Sequence, residues 1–222
     1  TRVSILLQSE STTIVIDISP EFKYQALKND INKIDAVFIT HAHNDHVAGI
    51  DELRIYNYKQ KIKIPVYGKE DTLEEIRQRF SYIFKQTQEG GGKPQLDLIN
   101  FKPYKKIKIG DFSIMPVEVF HGEIIINGFI IDDKIAYLTD CTKIPEPTFN
   151  LVKNLDTVII GAIRIKPHST HFNFSQARDV IRELKPKKAF FTHISHDMTH
   201  NELVSEYSPE ITIPFDGLTL PI

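Results

Sequence analysis

The chain has 222 residues, a formal charge of −2 at pH 7 and one cysteine, Cys141. Its 41% hydrophobic and 25% charged residues are typical of a globular protein with a substantial core. The charge balance argues against a broad nucleic-acid-binding surface, and the lone cysteine excludes an internal disulfide framework or a cysteine-rich zinc module. We find no transmembrane run and no signal peptide, so we expect a soluble, cytoplasmic protein.

Strands and helices alternate in the first part of the chain. Short apolar runs rich in β-formers predict strands, and the turn-like stretch 8–11 joins the first two strands into a hairpin. Pro20 suits the first position of a helix, and Thr72 with Glu75 has the spacing of a capping box. The predicted strands are 3–7, 13–18, 36–39 and 62–67, and the predicted helices are 20–27, 50–58 and 71–84.

The glycine-rich stretch 88–94 predicts a mobile connection, since no strand–loop–helix pattern frames it as a phosphate-binding loop. Beyond it, closely spaced apolar runs with tight turns indicate an antiparallel meander. The meander comprises 96–101, 106–109, 112–120, 124–131 and 135–138. In the last third we predict helices 145–155 and 174–184, the second beginning at Asn173 or Ser175, and strands 157–160, 189–192, 211–213 and 218–220. Alternating strands and helices predict two sheets with helices outside.

The most informative stretch is Thr-His-Ala-His-Asn-Asp-His at residues 40–46, directly after the apolar strand 36–39. Imidazole and carboxylate groups at this density are the ligands of zinc and neighbouring first-row metals. The alternative is a polar loop whose histidines cap a helix. Asp17, at the end of an earlier strand, is expected either to orient a metal-bound histidine or to form a turn.

Three further ionisable residues, His121, Asp140 and His193, each follow an apolar strand. Such a pattern is expected when strand ends deliver ligands to one face of a fold. Together with the loop at residues 40–46 there are enough donors for two metal ions, with one carboxylate shared. Taken singly, His121 or His193 would more often be a structural histidine.

These residues resemble the metallo-β-lactamase superfamily, whose HxHxDH motif corresponds to residues 41–46. Within it, the chain is similar to the PhnP-like phosphodiesterases, on the evidence of segments 38–40, 49–54, 90–94, 137–140 and 192–196. The resemblance covers nearly the whole chain and implies an α/β fold, the four-layer αββα sandwich of two mixed sheets, as a single domain over residues 1–222. Because the chain begins at Thr1 without an initiator methionine, we expect an upstream segment to precede it.

The resemblance implies a set of metal ligands. His41, His43 and His121 would bind one ion, Asp45, His46 and His193 the other, and Asp140 would bridge both. The ions would be zinc or manganese, with iron also compatible. Asp45 and Asp140 would then share in catalysis.

The resemblance also implies that His171 assists at the phosphodiester, a role that suits a group titrating near neutral pH. Its alternative is a solvent-exposed residue at a helix start. His168 and Arg164 are weaker candidates for substrate binding. In relatives an upstream cysteine cluster shares a structural zinc with the histidine at the position of His196, but this chain has no such cysteines. Cys141, beside Asp140, is expected either to pack in the core or to contact the metal ligands without binding the metal itself.

The sequence thus predicts metal-dependent hydrolysis of a small phosphodiester, cyclic ones included. In this mechanism a metal-activated water attacks phosphorus and His171 protonates the leaving group or positions the phosphate. The alternatives are a thioester or lactam hydrolase, a tRNA-processing nuclease and a non-enzymatic binding module. Nucleic acid and membranes are not expected as partners, and a homodimer is left open. The nuclease is disfavoured by the charge balance, and the binding module by the full set of seven ligands.

Overall fold

The computed structural model describes residues 1–86, 92–207 and 209–221, so most of the glycine-rich stretch, residues 88–91, lies outside the described residues. The chain divides into two compact units. The first contains Thr1–Lys102 and Lys108–Phe112, and the second contains Pro103–Ile107 and Ser113–Ile222. The single-domain assignment stays a prediction. In the described part of the chain, every helix is too short or too polar to cross a membrane.

The sheet of the first unit has five strands in the order β1-β2-β3-β4-β5. They are β1 Ile5–Gln8, β2 Thr13–Ile16, β3 Ala36–Phe38, β4 Ile64–Gly68 and β5 Leu96–Asn100. The β1–β2 pair is the predicted antiparallel hairpin, while β2 to β5 are parallel. The carboxyl ends of β2, β3 and β4 therefore lie at one edge of this sheet. The fully buried residues of β3 fit its central place in the sheet.

The helices of the first unit connect its parallel strands. They are α1 Phe22–Lys28, α2 Asn44–Val47, α3 Arg54–Gln60, α4 Glu70–Arg79 and α5 Ser81–Phe84, with a 3-10 helix at Ala48–Leu53. Their apolar faces pack on strand residues, as Phe22 of α1 and Ile76 of α4 do with Val37 of β3 in one buried cluster. This burial, rather than the propensity of such short helices, stabilises them.

Several local predictions for the first half are wrong. Pro20 lies before the helix, because α1 begins at Phe22 with Glu21 as its N-cap. The helix predicted over 50–58 is a 3-10 helix, Ala48–Leu53, followed by α3. The run 96–101 pairs in parallel with β4, so it does not begin a meander. The helix predicted over 71–84 is two helices, α4 and α5, that meet at Phe80. Because α4 begins at Glu70 with Lys69 as its N-cap, Thr72 lies inside the helix, and no side-chain capping bond forms at Lys69.

The other sheet has six strands in the order β11-β10-β9-β8-β7-β6. They are β6 Ile107–Ile109, β7 Phe112–His121, β8 Ile124–Ile131, β9 Ile135–Leu138, β10 Thr157–Gly161 and β11 Lys188–Thr192. β7, β8 and β9 form the antiparallel meander, and β9, β10 and β11 are parallel. Since two antiparallel steps restore the direction, β7 runs parallel to β9. The carboxyl ends of β7, β9, β10 and β11 thus share one edge.

Among the described residues of the second unit there are three helices, α6 Glu146–Val152, α7 Phe174–Leu184 and α8 His200–Tyr207. α7 buries Phe174, Ala177, Ile181 and Leu184, whose spacing of three and four places them on one face. A capping box between Asn173 and Gln176 begins this helix, which decides between the two predicted starts.

The chain end differs from its prediction. Residues 211–213 form one isolated bridge, between Thr212 and Phe190, instead of a strand, and 218–220 form no strand. Helix α8 was not predicted. The predicted α/β fold class with two mixed sheets is nevertheless confirmed.

Candidate metal centre

The first donor set, His41, His43, Asp45 and His46, occupies the loop and short helix α2 that follow β3. His41 and His46 are buried, whereas His43 is exposed. The Nε2 atom of His41 lies 2.9 Å from Nδ1 of His43. Two nitrogen ligands at about 2.0–2.1 Å from one zinc ion are themselves roughly 3 Å apart, so this pair suits a shared ion.

Asp17 orients the histidines of the first donor set. It lies just after β2 and accepts hydrogen bonds from the Thr40 hydroxyl at 2.9 Å and from Nδ1 of His46 at 2.8 Å. Because the Thr40 proton is directed to Asp17, the Thr40 oxygen can accept from Nδ1 of His41, 3.0 Å away. Both rings then keep an unprotonated Nε2 for a metal. Of the two predicted roles of Asp17, the structure favours orientation of histidine.

The loop of the first donor set is tied to the segment after β2. Ile18 donates its backbone N–H to the carbonyl of His46 at 2.7 Å, and Gly49 donates to the carbonyl of Ile18 at 3.0 Å. A Cβ atom on Gly49 would lie 2.2 Å from the Ser19 carbonyl oxygen, so this close approach requires glycine. The glycine thereby lets the backbone hold Asp17 and His46 in contact.

The second donor set, His121, Asp140 and His193, comes from the shared carboxyl edge of β7, β9 and β11. A carboxylate oxygen of Asp140 lies within 4.8 Å of a ring nitrogen of His121 and of one of His193. The Nε2 of His193 lies 3.2 Å from Oδ1 of Asp140. One carboxylate therefore stands beside both imidazoles, as a bridging ligand must.

The backbone at this edge is strained. Asp140 has φ 53° and His193 has φ 54°, both in the left-handed region that non-glycine residues seldom adopt. Each such residue costs on the order of 1–3 kcal/mol, and strain of this kind clusters at functional sites. Asp17, with φ 63°, shares the feature in the first unit.

His121 has its tautomer set by the backbone. Its Nδ1 donates to the carbonyl oxygen of Thr170 at 2.7 Å, which leaves Nε2 as the lone-pair donor. The Thr139 hydroxyl donates to Oδ1 of Asp140 at 2.7 Å. The second donor set thus has the imidazole tautomer and carboxylate support that divalent-metal sites use.

His171 is buried against the second donor set. Its ring stacks on that of His193 at a centroid distance of 5.0 Å, and its Nδ1 lies 4.0 Å from Oδ2 of Asp140. Burial lowers the pKa of His171 from 6.5 to about 4, although the Asp140 carboxylate opposes the shift. At neutral pH this imidazole is neutral and carries one N–H. The alternative of a solvent-exposed residue at a helix start is therefore wrong, because the ring is buried.

The two weaker substrate-binding candidates lie on the loop before His171. Arg164 donates from Nε to the carbonyl of Lys166 and from Nη2 to that of Pro167, so its guanidinium braces its own loop. His168 stacks edge-on against His171 at 4.9 Å, and its pKa is lowered by burial and by nearby Arg164. Their roles in binding substrate stay predictions.

Cys141 and His196 are the other two residues singled out in the sequence. Cys141 lies in the apolar core of the second unit, and burial raises the pKa of its thiol. The packing role predicted for it agrees with this place. His196 is exposed, and its relation to a cysteine cluster stays a prediction.

Sequence reasoning missed two supporting residues: Thr40, which links Asp17 to His41, and Thr170, whose backbone carbonyl orients His121. Thr40 could have been noticed as a hydroxyl between a strand and a histidine cluster. A backbone carbonyl leaves no signal in residue type.

Known proteins resemble this chain over most of its length. A profile of the beta-lactamase superfamily domain matches residues 12–194, which is more than half of the chain. The chain belongs to the metallo-β-lactamase superfamily. A crystal structure described as a new diphosphatase from the PhnP family has a TM-score of 0.90 and 32% identity, over 100% of this chain and 84% of that one. The predicted resemblance to PhnP-like proteins is confirmed.

Two relatives have curated names. One, named octanoyltransferase, from Porphyromonas gingivalis (strain ATCC BAA-308 / W83), is 33% identical over 221 residues, 98% of this chain. The chain spans only 44% of that protein. The other, the probable metallo-hydrolase YhfI of Bacillus subtilis (strain 168), is 23% identical over 96% of this chain and 89% of its own length. The superfamily and the histidine and aspartate donors together indicate divalent metal ions.

Proposed function

We propose that the chain is a two-metal hydrolase that cleaves a small phosphodiester or a related phosphoanhydride. His41, His43 and His121 would hold one ion, Asp45, His46 and His193 the other, and Asp140 both. The observation that carries this proposal is the placement of Asp140 within ligand distance of both histidines of the second donor set. The relative described as a PhnP-family diphosphatase supports attack at phosphorus.

Two divalent ions, when bound, supply an activated water and neutralise charge on the phosphoryl group. The residues around them do the rest. Asp17 and the Thr170 carbonyl fix which nitrogens of His46 and His121 carry lone pairs, so that these two rings are oriented before ions bind. Asp45, whose Oδ2 lies 3.5 Å from Nε2 of His46, is half-exposed, so solvent reaches its carboxylate.

His171 fits a hydrogen-bond donor to the phosphate better than a proton donor to the leaving group. A general acid must be protonated at working pH, and burial keeps the pKa of His171 at about 4. The neutral ring still has one N–H to donate to a phosphoryl oxygen.

A thioester hydrolase is the second candidate function. The relative named octanoyltransferase acts, by its name, on an acyl group, and the same metals can activate water toward a carbonyl carbon. That name belongs to a protein more than twice the length of this chain, so it bears on acyl chemistry only weakly.

A side-by-side substrate assay separates these functions. The chain, loaded with zinc, manganese or iron, is offered bis-p-nitrophenyl phosphate, a nucleoside diphosphate sugar, an octanoyl thioester and a lactam. We expect metal-dependent cleavage of one or both phosphorus compounds, abolished by a chelator. Exclusive turnover of the thioester or the lactam would overturn the proposal.

His171→Ala tests the assigned role of that residue in the same assay. We expect kcat to fall about 10²-fold or more, since an oriented hydrogen-bond donor to developing charge is lost. Bound metal, measured by elemental analysis, should stay at the wild-type amount. His196→Ala, at an exposed histidine of the same unit, is the matched control. Parallel loss of metal and activity in His171→Ala would make His171 a ligand instead.

A further inference from the structure

Arg79, the last residue of α4, reaches the loop of the first donor set. Its Nη1 donates to the carbonyl oxygen of Ala42 at 2.5 Å. Ala42 is buried and lies between His41 and His43 in the sequence. A cationic side chain from a helix far along the chain thus binds the peptide that joins the two histidines.

The guanidinium is fixed at a second point. Its Nη2 lies 3.2 Å from Oε2 of Glu75, one turn earlier on α4, and its side chain is 41% exposed. Because the guanidinium is planar and Glu75 holds one of its terminal nitrogens, the other terminal nitrogen is held in place to donate to the Ala42 carbonyl. Glu75 also offsets the positive charge that Arg79 brings near metal ligands.

His43 needs such support more than its neighbours do. His41 and His46 are held by burial and by bonds to Thr40 and Asp17, whereas the His43 side chain is exposed. The His43 ring contacts His41, with its Nδ1 2.9 Å from Nε2 of that residue, and because the ring is exposed the backbone that carries it adds to what sets its direction. The Ala42 carbonyl belongs to the peptide between Ala42 and His43, and a bond to it restrains the torsions on both sides of that peptide.

We propose that Arg79 is a positioning residue of the metal centre, which holds the Ala42–His43 peptide so that the His43 imidazole stays beside His41. This inference rests on the proposed metal-binding function. It predicts that Arg79 strengthens metal binding even though it is a cation. Electrostatics alone predicts the opposite sign, because removing a nearby positive charge should tighten the binding of a divalent ion.

Measured zinc affinity decides whether loss of Arg79 weakens or tightens metal binding. The dissociation constants of wild type, Arg79→Ala, Arg79→Lys and Arg77→Ala are measured by competition with a chromophoric chelator. Arg77 is the matched control, because it lies on the same helix, is 44% exposed and pairs with Glu74 instead of the loop. We expect Arg79→Ala to weaken zinc binding about 10–100-fold, the range typical for an outer partner of a ligand. Arg77→Ala should match wild type, and lysine should recover part of the loss through its own donor.

The melting temperature of the metal-free proteins shows whether the effect is merely structural. We expect Arg79→Ala to melt somewhat below Arg77→Ala, since both lose an exposed ion pair and Arg79→Ala also loses the hydrogen bond to the Ala42 carbonyl. Both should remain folded at the temperature of the zinc titration, so that a difference in affinity is not a difference in folding. Zinc binding by Arg79→Ala that equals or exceeds that of wild type would overturn the inference. Wild type that binds zinc but cleaves neither phosphorus compound would overturn the proposed substrate and leave the affinity result for Arg79 intact.

Discussion

The two donor sets are built in opposite ways. The first set comes from one loop, with all its ligands within residues 41–46, directly after β3. The second set is assembled from three separate strand ends, at His121, Asp140 and His193. A contiguous set can keep its geometry through one short segment, while a dispersed set depends on the register of a whole sheet.

The sets also differ in what orients their imidazoles. In the first set, the carboxylate of Asp17 accepts a hydrogen bond from Nδ1 of His46, so the orienting group is a side chain. In the second, the backbone carbonyl of Thr170 accepts from Nδ1 of His121. A single substitution can remove the first orienting group but not the second. The orientation of His46 should therefore be adjustable by mutating its partner, whereas that of His121 should not.

Asp140→Ala should give the largest effect. This residue lies beside both histidines of the second set, so its loss removes the carboxylate that the proposal shares between two ions. We expect bound metal to fall from about two ions per chain to one or fewer, with turnover reduced beyond the 10–100-fold typical of an outer partner. Metal analysis and hydrolysis kinetics measure the two quantities.

Asp133→Ala is the control for Asp140→Ala. It replaces an aspartate of the same unit with nearly the same left-handed backbone, φ 55°, on an exposed turn where it pairs with Lys106. Any loss that comes from placing alanine at positive φ will appear in both variants. If Asp140→Ala keeps the full wild-type amount of metal, the bridging role is wrong.

The first donor set was easier to predict from the sequence than the second, because its ligands are contiguous. The loop at residues 41–46 was recognisable because ligand density in one short stretch is a local property. His121, Asp140 and His193 could be selected only as polar residues after apolar strands. That β7, β9 and β11 end at one edge depends on two antiparallel steps and two parallel ones, which are long-range pairings. The run 96–101 was assigned to the wrong sheet, because its apolar pattern is compatible with a strand in either sheet.

Side-chain contacts across the chain were less predictable still. Asp17 was a candidate because it follows a strand, but its choice between turn and partner needed the position of His46. The Thr170 carbonyl and the Arg79 contact with Ala42 leave no mark in composition or periodicity. Such contacts depend on where loops from distant parts of the chain meet, which local propensity does not encode.

Asp17→Asn should reduce metal binding less than Asp140→Ala does, because it affects only the orientation of His46. Asparagine keeps the size of the buried side chain and one acceptor oxygen for Thr40, but its amide cannot match a carboxylate as acceptor for His46. We expect metal affinity to fall about 10–100-fold with little change in the number of ions bound at saturation. Titration with zinc, monitored by calorimetry, measures both.

Asp35→Asn is the comparison for Asp17→Asn. Asp35, in the same unit, accepts a hydrogen bond from the backbone N–H of Thr13 and forms an ion pair with Lys33. Equal zinc affinities for the two variants would show that the effect of Asp17 is not orientation of a ligand. The bond between Asp17 and His46 would then not be what sets the zinc affinity of the first donor set.

The smallest expected effect is on the pH dependence of stability, and it comes from the buried imidazole of His171 beside the second donor set. Burial lowers the pKa of His171 from 6.5 to about 4, so between these values the unfolded chain binds a proton that the folded chain does not. The folded state of the metal-free protein should therefore lose stability as pH falls through this window, and the His171 contribution should be constant above it. His171→Gln cannot take up that proton, so its stability should fall less between pH 7 and about pH 4.5. Urea unfolding in the presence of a chelator measures the difference, with His196→Gln as the control. If wild type and His171→Gln lose stability equally over this range, protonation of His171 does not contribute to the acid sensitivity of the folded chain.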